Sequence, residues 1–468
     1  MRILLFATLL PLMLASPADA ADRPNIVFFI ADDLSWTDCS IYARNGIRTP
    51  NMERIAGEGM TFSHAFVASP SCAPSRGALL TGIYPSRNGA MYNHTVPKPE
   101  FKRWPAYFKE QGYEVVAIGK VAHYATVTQY GFDHASHFKY HEDNCIEESI
   151  AWLNKRQSDK PLCLLVGTNW PHVPWPEKLD YQPNELPVPP VHVDTPETRA
   201  FRARYATAVG YADRDLGLVY DAARKKLGDN ALFLFSGDHG AQFPFGKWTC
   251  YDGGLRTPLL AVWPGKIKSG SKSDAMVNWI DLLPTCLEAI SAKSPAEGTA
   301  EGQISGRSFL PVLLRQKTAH REHIFTQHSG DGKMNEYPMR SVRSRDWKYI
   351  RNLAPDTEFH THVDKAQGED GKGYWASWEQ KAMKDLAAAA IIGRYHRRPA
   401  EELYDLRTDP WEQKNLAADP AHAQELVALR SEVDGWMKQQ GDQGLATEAA
   451  NKPQPKPQPR AQPRKNRN

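Results

Sequence analysis

Short runs of apolar residues alternate with stretches of helical periodicity along the first two thirds of the chain. Continuous apolar runs are typical of buried strands, and their alternation with helices favours an α/β domain built on a largely parallel sheet. Residues 195–226 form the longest predicted helix, and residues 51–58 form another, with Thr49 as N-cap and Pro50 in the first turn. The runs that predict strands are residues 25–30, 113–118, 162–166 and 231–235.

The pattern changes after about residue 318, where shorter strands and helices follow one another. The segments HIFTQ, MRSVRS and DWKYIRNL predict a small antiparallel sheet, with a tight turn at Arg345-Asp346 between the last two. We therefore expect an α/β domain over residues 22–318 and a smaller α+β domain over residues 319–445. The helices predicted in the smaller domain are residues 382–392 and 421–437.

The two ends of the chain have compositions unlike the rest. Residues 1–20 combine Arg2, a short apolar run and an Ala18-Asp19-Ala20 ending, which predicts a signal peptide and an exported protein, periplasmic or secreted. The run is shorter than the roughly 20 apolar residues of a membrane span, so no span is expected. Residues 446–468 are rich in Pro, Gln and basic residues and predict a disordered tail, with attachment to an anionic polymer as the minor alternative.

Neither charge nor cysteine content singles out a partner. The net charge of the chain is +3, and residues 452–468 alone contribute six positive charges. The rest of the chain is therefore mildly acidic, and no nucleic-acid partner is expected. The six cysteines are widely spaced and include no C-x-x-C pair, which is unlike a disulfide framework or a zinc site. The count leaves open whether Cys72 is paired or reactive.

Charged or imidazole side chains follow each of the four predicted strands. In open α/β sheets, ligand sites form outside the carboxyl ends of the strands. Charged residues after a single strand form a solvated turn about as often as a functional site. Four strands that all lead into charged or imidazole residues indicate a shared site. The residues concerned are Asp32, Asp33, Lys120, His123, His172, Asp238 and His239.

The carboxylates in this set predict a metal ion. Asp32, Asp33 and Asp238 would repel one another at one sheet edge unless a divalent cation neutralised them. Oxygen ligands favour a hard ion, calcium or magnesium. His239 is less typical of a calcium site and leaves room for another divalent metal.

Basic side chains near these carboxylates suit a tetrahedral oxyanion such as phosphate, sulfate or their esters. Solvated lysines and a loop histidine are the alternative for each group taken singly. Cys72 lies at the predicted start of a helix, where free amide hydrogens and the dipole attract negative charge, so a nucleophile there would face the anion. The basic groups and proton donors are Arg76, Lys120, His123, His172 and Lys247.

The segment Cys-Ala-Pro-Ser-Arg at 72–76, followed by GALLTG, resembles the signature of the type I sulfatases. The stretch LYDLRTDPWEQKNLA resembles the C-terminal subdomain of these enzymes, and the resemblance extends over nearly the whole mature chain. It implies an alkaline-phosphatase-like sandwich, with a large mixed, mainly parallel sheet flanked by helices and a smaller C-terminal α+β domain with an antiparallel sheet. In that family a formylglycine-generating enzyme oxidises the signature cysteine to formylglycine (3-oxoalanine) during maturation.

The resemblance also implies a metal site, usually for calcium. Its ligands would be Asp32, Asp33, Asp238 and His239, completed by Cys72 as formylglycine. Many family members have asparagine where this chain has His239. Asp238 would also activate the hydroxyl that attacks sulfur.

The remaining catalytic roles are implied in the same way. Arg76 would hold the formylglycine hydrate, and Lys120 and Lys247 would bind sulfate oxygens. His172, with Lys247 as a second donor, would protonate the leaving group. His123 would deprotonate the second hydroxyl and so release sulfate. Lys120 and His123 are three residues apart, where many sulfatases have a spacing of two.

Three stretches resemble the sulfamidase (heparan N-sulfatase) branch: RNGAMYNH, residues 193–217 and YPMRSVR. This implies N-sulfoglucosamine as substrate, whereas NWPHVPWP also resembles loops of O-sulfatases, so an O-sulfatase acting on another polysaccharide stays open. Arg340 and Arg343 are candidates for binding a sugar carboxylate or a second sulfate, the alternative being a basic strand face.

Three further readings concern the chemistry at Cys72. A phosphoesterase or phosphonate hydrolase of the same superfamily could use nearly the same pocket. A non-catalytic binder of sulfated glycans would leave Cys72 unmodified, and a structural disulfide would consume its thiol. The cysteine-type signature argues against the first, and the combined set of acid, base and metal residues argues against the second. The Pro-Ser-Arg context gives no reason for the third.

Overall fold

The computed structural model describes residues 23–138, 144–291, 304–332, 335–366 and 372–453, so the predicted signal peptide lies outside the described residues. The strands are, in chain order, Asn25–Ala31 (β1), Met60–Phe62 (β2), Ala65–Phe66 (β3), Glu114–Gly119 (β4), His134–Ser136 (β5), Leu162–Gly167 (β6), Ala231–Gly237 (β7), Arg256–Thr257 (β8), Leu259–Val262 (β9), Ser271–Ser273 (β10), Val277–Asn278 (β11), Ile324–Gly330 (β12), Glu336–Arg343 (β13), Trp347–Asn352 (β14) and Glu401–Asp405 (β15).

The α-helices are, in chain order, Pro50–Glu58 (α1), Cys72–Thr81 (α2), Pro85–Asn88 (α3), Trp104–Glu110 (α4), Cys145–Lys155 (α5), Pro196–Leu227 (α6), Asp252–Leu255 (α7), Leu282–Ala289 (α8), Leu310–Leu313 (α9), His362–Lys365 (α10), Lys372–Ala382 (α11), Leu386–His396 (α12), Ala423–Gln440 (α13) and Leu445–Asn451 (α14). Short 3-10 helices occupy Trp36–Asp38, Tyr124–Gln129, Trp279–Asp281 and Pro420–His422. Among the described residues, none of these helices has the length and apolarity needed to cross a membrane.

Eight strands form the large sheet, in the order β10-β2-β9-β7-β1-β6-β4-β5. The central strand β1 runs parallel to β6 and β7, and β4 runs parallel to β5 and β6. Only the pairings of β9 with β2 and β7 are antiparallel among the described strands of this sheet. The predicted mixed, mainly parallel sheet is confirmed, and the four apolar runs are its buried central strands because helices cover both faces.

The helices against the sheet begin close to where the sequence predicts. Thr195 caps α6 by accepting a hydrogen bond from the Thr198 amide (3.1 Å), as its position before Pro196 indicates. Thr49 precedes α1, but its hydroxyl accepts from the Ser40 amide instead. The first amides of α1 donate to a carboxylate of α6, from Asn51 (3.0 Å) and Met52 (2.8 Å) to Asp213.

The smaller sheet is antiparallel, with strand order β12-β13-β14-β15. Its first three strands are the predicted ones, and the turn between β13 and β14 closes with a Ser344 N to Trp347 O hydrogen bond of 2.9 Å. The prediction of one helix over residues 382–392 is wrong, because α11 ends at Ala382 and α12 begins at Leu386. Asp385 separates them by accepting hydrogen bonds from the first amides of α12.

The two predicted domains share a core, and the second extends further than expected. One hydrophobic cluster joins Ala68 and Tyr84 of the α/β part to Val342 and Trp436 of the smaller part. A disordered tail was expected from residue 446, but helix α14 occupies Leu445–Asn451 because Glu448 is buried in an ion pair. Residues 454–468 of the predicted tail lie outside the described residues.

Candidate active site

Two neighbouring parallel strands bring the carboxylates together. Asp32 and Asp33 follow the end of β1, and Asp238 and His239 follow the end of β7. The Asp33 amide donates a 2.9 Å hydrogen bond to Asp238 Oδ1, which joins the two strand ends directly. The four side chains are at most 1% exposed. The structure thus gathers these four predicted site residues in one buried location at the carboxyl edge of the sheet.

Cys72 is the first residue of α2, and the helix start points its thiol into this location. The Cys72 Sγ lies 3.2 Å from His239 Nε2, 3.8 Å from Asp32 Oδ1 and 3.9 Å from Lys120 Nζ. All six cysteines are free thiols, which contradicts the reading of Cys72 as half of a structural disulfide.

The helix that carries Cys72 is tied to the strand ends by its own first turn. The Ala73 amide donates to Asn93 Oδ1 (2.9 Å), and Ser75 Oγ donates to the Asp238 carbonyl (2.7 Å). Asn93 thus accepts from one of the amides that a helix N-terminus leaves without an intrahelical partner. Side-chain and backbone contacts together fix Cys72 relative to Asp238.

Four side chains in the site could hold a metal ion. Asp32, Asp33, Cys72 and His239 each offer one ligand atom, and these atoms lie within 4.8 Å of one another. The Nδ1–H of His239 donates to the Gly240 carbonyl (3.0 Å), so the Nε2 lone pair faces Cys72 and Asp33. Burial lowers the pKa of His239 well below its ordinary value, and Lys247 adds to this, so the ring is neutral as a ligand must be.

Both carboxylate oxygens of Asp238, the fifth predicted ligand, already accept hydrogen bonds from the protein. Its Oδ1 accepts from the Asp33 amide and its Oδ2 accepts from Arg76 Nε (2.9 Å), while the same Oδ2 lies 3.5 Å from His239 Nε2. Burial raises the pKa of Asp238 to about 7 despite the opposing charge of Arg76. Asp238 therefore borders the metal-binding group and links it to Arg76.

Three cations lie against the three carboxylates. Arg76 bridges Asp32 (3.2 Å) and Asp238 (2.9 Å), Lys120 contacts Asp32, and Lys247 Nζ lies 2.9 Å from both oxygens of Asp33. These cations, carried by helix α2 and by the segments after β4 and β7, offset the repulsion that was expected between the carboxylates. Charge repulsion alone therefore does not require a metal ion. The inference of a metal site depends on the geometry of the four ligand atoms.

The cations set the protonation states of the groups they face. Burial alone would raise the pKa of Asp32, but the charges of Lys120 and Arg76 hold it well below its usual value. Burial raises the pKa of Asp33 to about 6, with Lys247 opposing the shift. Burial also raises the pKa of the Cys72 thiol, so the unmodified side chain is protonated at neutral pH.

The two predicted proton-transfer histidines are both buried near the carboxylates. The Nδ1–H of His172 donates to the Val173 carbonyl (2.6 Å), and its Nε2 lies 3.9 Å from Asp33 Oδ2. His123 packs edge to face against Tyr124 (ring centroids 4.7 Å apart). Burial lowers the pKa of both histidines well below the ordinary value, and nearby lysines contribute, so both rings are neutral.

Three polar side chains that the sequence analysis missed support the predicted ones. Tyr124 Oη lies 3.2 Å from Lys120 Nζ, and Gln242 Oε1 accepts from Lys247 (3.3 Å). Asn93, the acceptor for the α2 amide, also donates to Asp331 (2.8 Å). Adjacency to His123 could have found Tyr124, and Asn93 lies within the RNGAMYNH stretch that resembles the sulfamidase branch. Gln242 lies three residues after His239.

Arg340 and Arg343 are not available to a glycan. Arg340 is fully buried, with its guanidinium paired to Asp442 and to Glu448 (2.8 Å), and Arg343 Nε lies 3.2 Å from both oxygens of buried Asp252. A guanidinium enclosed with a protein carboxylate cannot also bind a sugar carboxylate or sulfate. These contacts contradict the predicted substrate-binding role and assign both arginines to the packing of the smaller sheet.

Comparisons with known proteins agree with this geometry. The sequence profile of the family described as Sulfatase matches residues 24–292, and that described as N-sulphoglucosamine sulphohydrolase, C-terminal, matches residues 237–391. An ulvan-active sulfatase of Formosa agariphila is 31% identical, with 92% of this chain and 83% of the relative covered. The human N-sulphoglucosamine sulphohydrolase is 29% identical, with coverages of 88% and 90%.

Solved structures confirm the predicted alkaline-phosphatase-like fold. A protein crystallised in complex with its substrate D-glucosamine-2-N,6-O-disulfate aligns with a TM-score of 0.66 and 19% identity, covering 90% of this chain and 99% of the other. At that identity the alignment concerns the fold and not the substrate.

Proposed function

This chain belongs to the sulfatase family, a family of hydrolases of sulfate esters and sulfamates, and from this we propose that it removes the N-linked sulfate of N-sulfoglucosamine in heparan-type glycans. The observation that supports catalysis is the convergence of Cys72 with the buried carboxylates, imidazoles and cations at one sheet edge. The observation that supports an N-sulfo substrate is the match of residues 237–391 to the C-terminal profile of the N-sulphoglucosamine sulphohydrolases.

The donor set fits both groups that the family uses. Asp32, Asp33, Asp238 and His239 would hold a divalent cation, with calcium as the proposed ion, and the ion would supply positive charge toward the sulfate oxygens. Formylglycine made from Cys72 would supply a hydrated aldehyde, with one hydroxyl as nucleophile toward sulfur and the other for the release of sulfate. Cys72 is 1% exposed, so the oxidising enzyme must act before the chain folds.

The chain's own cations bind and orient the anion. Lys120 Nζ lies 3.9 Å from Cys72 Sγ, and Lys247 faces the same group from the Asp33 side. We assign both lysines to sulfate oxygens, because two fixed ammonium groups in a site without solvent stabilise charge that develops there. We assign Arg76 to the formylglycine hydrate, because its contacts with Asp32 and Asp238 fix its guanidinium among the residues around position 72.

The two histidines move protons. His172 donates from Nε2 to the leaving nitrogen, and because its pKa is lowered in the substrate-free site, it takes up that proton together with the anionic substrate. His123, neutral for the same reason of burial, accepts a proton at its free ring nitrogen when sulfate is released. Asp238, held beside position 72 by Arg76 and the Asp33 amide, would accept the proton of the attacking hydroxyl.

The mass of the peptide that contains Cys72, measured on protein from the native source, tests the chemistry. We expect the aldehyde or its hydrate at position 72, together with sulfate release from N-sulfoglucosamine by the wild type. Cys72→Ala is expected to lose all release, whereas Cys286→Ala, which removes another buried thiol, retains it. An unmodified thiol in an active preparation contradicts the proposal, and an unmodified thiol in an inactive one favours a glycan binder.

A second candidate is an O-sulfatase that acts on another sulfated polysaccharide, favoured by the 31% identity to the ulvan-active relative. Parallel assays with N-sulfoglucosamine, glucosamine 6-O-sulfate and ulvan oligosaccharides separate the two. Release from the O-sulfated substrates alone replaces the first candidate with the second.

We also propose that residues 1–20 are a signal peptide and that the enzyme is exported, which N-terminal sequencing of the mature protein tests.

A further inference from the structure

A second group of potential metal ligands lies in the smaller domain and shares no residue with the candidate active site. His360, Asp364 and His396 each offer one ligand atom, and these atoms lie within 4.8 Å of one another. Asp364 belongs to α10, His360 lies just before that helix, and His396 is the last residue of α12. The His360 side chain is 26% exposed, so an ion could reach the group from solution, whereas the Asp364 side chain is only 3% exposed.

The Asp364 carboxylate is held in one orientation. Its Oδ1 accepts from the Thr361 amide (2.7 Å), in a capping box at the start of α10, and from Tyr395 Oη (2.9 Å). Its Oδ2 points toward His360 Nδ1 at 2.6 Å. One oxygen is therefore committed to the protein, while the other is presented to the histidines.

Both imidazoles have the outer hydrogen bonds that are typical of metal-binding histidines. The Nδ1–H of His396 donates to the Phe359 carbonyl (3.0 Å), which leaves its Nε2 as a lone pair. His360 has Nδ1 toward Asp364 and Nε2 at 3.6 Å from Glu358 Oε2. Metal-binding histidines usually donate the second ring N–H to a carboxylate or carbonyl, and Glu358 and Phe359 are in place for this. The two rings lie 5.0 Å apart, centroid to centroid.

We propose that His360, Asp364 and His396 form a structural binding site for Zn²⁺. Two imidazole nitrogens and one carboxylate oxygen are a donor set that suits zinc better than calcium or magnesium, with water as a fourth ligand. Ligand atoms about 2.0–2.1 Å from a tetrahedral ion are roughly 3.3 Å apart. The His360–Asp364 pair, now 2.6 Å apart, would therefore open by about 0.7 Å, and the separations from His396, at most 4.8 Å, would close by at most about 1.5 Å. Zinc would take the place of the hydrogen bond between His360 Nδ1 and Asp364 Oδ2, with the ring N–H of His360 on Nε2, toward Glu358.

The ion would connect two segments that are distant in sequence. Two of its ligands come from residues 360–364 and the third from the end of α12, so zinc binding joins these segments and stabilises the folded state. The stabilisation does not depend on sulfatase activity, which separates this proposal from the proposed function.

Zinc binding to the full mature chain, kept in excess Ca²⁺ to occupy the catalytic group, tests the proposal. After equilibrium dialysis against micromolar Zn²⁺, the number of zinc ions per chain is measured by inductively coupled plasma mass spectrometry. His396→Asn removes the Nε2 ligand but keeps a donor for the Phe359 carbonyl, and Asp364→Asn keeps the Oδ1 acceptor. The matched control is His134→Asn, which alters an exposed histidine–carboxylate pair with Glu148.

We expect His396→Asn and Asp364→Asn each to bind about one zinc ion fewer per chain than the wild type and His134→Asn. Zinc should also raise the Tm of the wild type and the control, but not that of the two variants. Equal zinc content in all four proteins overturns the proposal, because the bound zinc would then lie in the catalytic group or elsewhere. Binding that needs millimolar Zn²⁺ overturns it as well.

Discussion

The ring nitrogen of His172 that faces the site is Nε2. Its Nδ1–H is used by the Val173 carbonyl, and its Nε2 faces Asp33 in the site. His172→Asn keeps a donor for that carbonyl and removes Nε2. We expect kcat on N-sulfoglucosamine to fall by about 10²–10⁴-fold, the usual contribution of a general acid. On an aryl sulfate, whose leaving group needs no proton, we expect a loss of less than about 10-fold.

Steady-state kinetics on the two substrates checks this prediction. The control is His192→Gln, because His192 is another buried histidine, whose Nε2 donates to the Pro244 carbonyl, and glutamine can keep that bond. We expect its kcat to stay close to that of the wild type on both substrates. Equal losses on both substrates in His172→Asn would show that His172 positions the anion and does not donate a proton.

Site residues that follow strands were predictable from the sequence, whereas the roles of residues with distant ion-pair partners were not. Asp32 and Asp238 were predictable because parallel neighbouring strands must bring their carboxyl ends together. Arg340 was a candidate for substrate binding, and its buried ion pairs were not predictable because its partners, Asp442 and Glu448, lie about a hundred residues further along the chain. No local pattern indicates which carboxylate a basic strand residue will meet.

Asp281 connects three elements at the edge of the α/β domain. It ends the 3-10 helix Trp279–Asp281, and its carboxylate accepts from Arg321 Nε (2.7 Å) and from the amides of Asn278 (2.9 Å) and Arg307 (2.8 Å). Asp281→Asn leaves the Arg321 guanidinium buried without its counter-charge. We expect the free energy of unfolding to fall by about 3–5 kcal/mol, measured by urea denaturation.

The pH dependence of that loss is a sharper test. Burial would raise the pKa of Asp281, but Arg321 holds it well below the ordinary value. Because the folded-state pKa is lowered, the stabilisation is complete above the unfolded pKa of about 3.9 and is lost at lower pH. The difference from wild type should be constant at neutral pH and shrink below about pH 4. Asp274→Asn, which breaks an exposed pair with Arg345, should cost less than about 1 kcal/mol.

Long apolar strands and long helices with a cap in the adjacent sequence were predictable. Short strands, and helices whose N-terminal amides bind a residue of another element, were not. Strand β15 is only five residues long, Glu401–Asp405, and belongs to the sheet because β14 pairs with it. Helix α1 takes its N-terminal acceptor from Asp213 of another helix, so its cap cannot be read from adjacent residues. In both cases, the partner that defines the element is remote in sequence.

The molecule as a whole is less divided than its composition indicates. Tyr84 of the α/β part packs edge to face against Trp436 of α13 (ring centroids 5.2 Å apart), and Trp378 Nε1 donates to Thr198 Oγ1 of α6 (2.7 Å). The change of pattern near residue 318 marks a change of architecture, but cores that cross it unite the two parts. Sequence patterns detect the kind of element and not the surface against which it packs.

The C-terminal helix α14 extends this union to residue 451. Glu448 Oε1 accepts from Arg340 Nη2 (2.8 Å) and Ser329 Oγ (2.9 Å), both on the small sheet. A chain ending at Gly444 leaves part of the buried Arg340 charge unpaired, so we expect it to lose about 2–4 kcal/mol of stability and several degrees of Tm by calorimetry. A chain ending at Pro453 retains the helix and should unfold like the full-length protein. If both truncations unfold at the full-length temperature, helix α14 contributes nothing to the folded state, and the tail begins at 446 as its composition predicts.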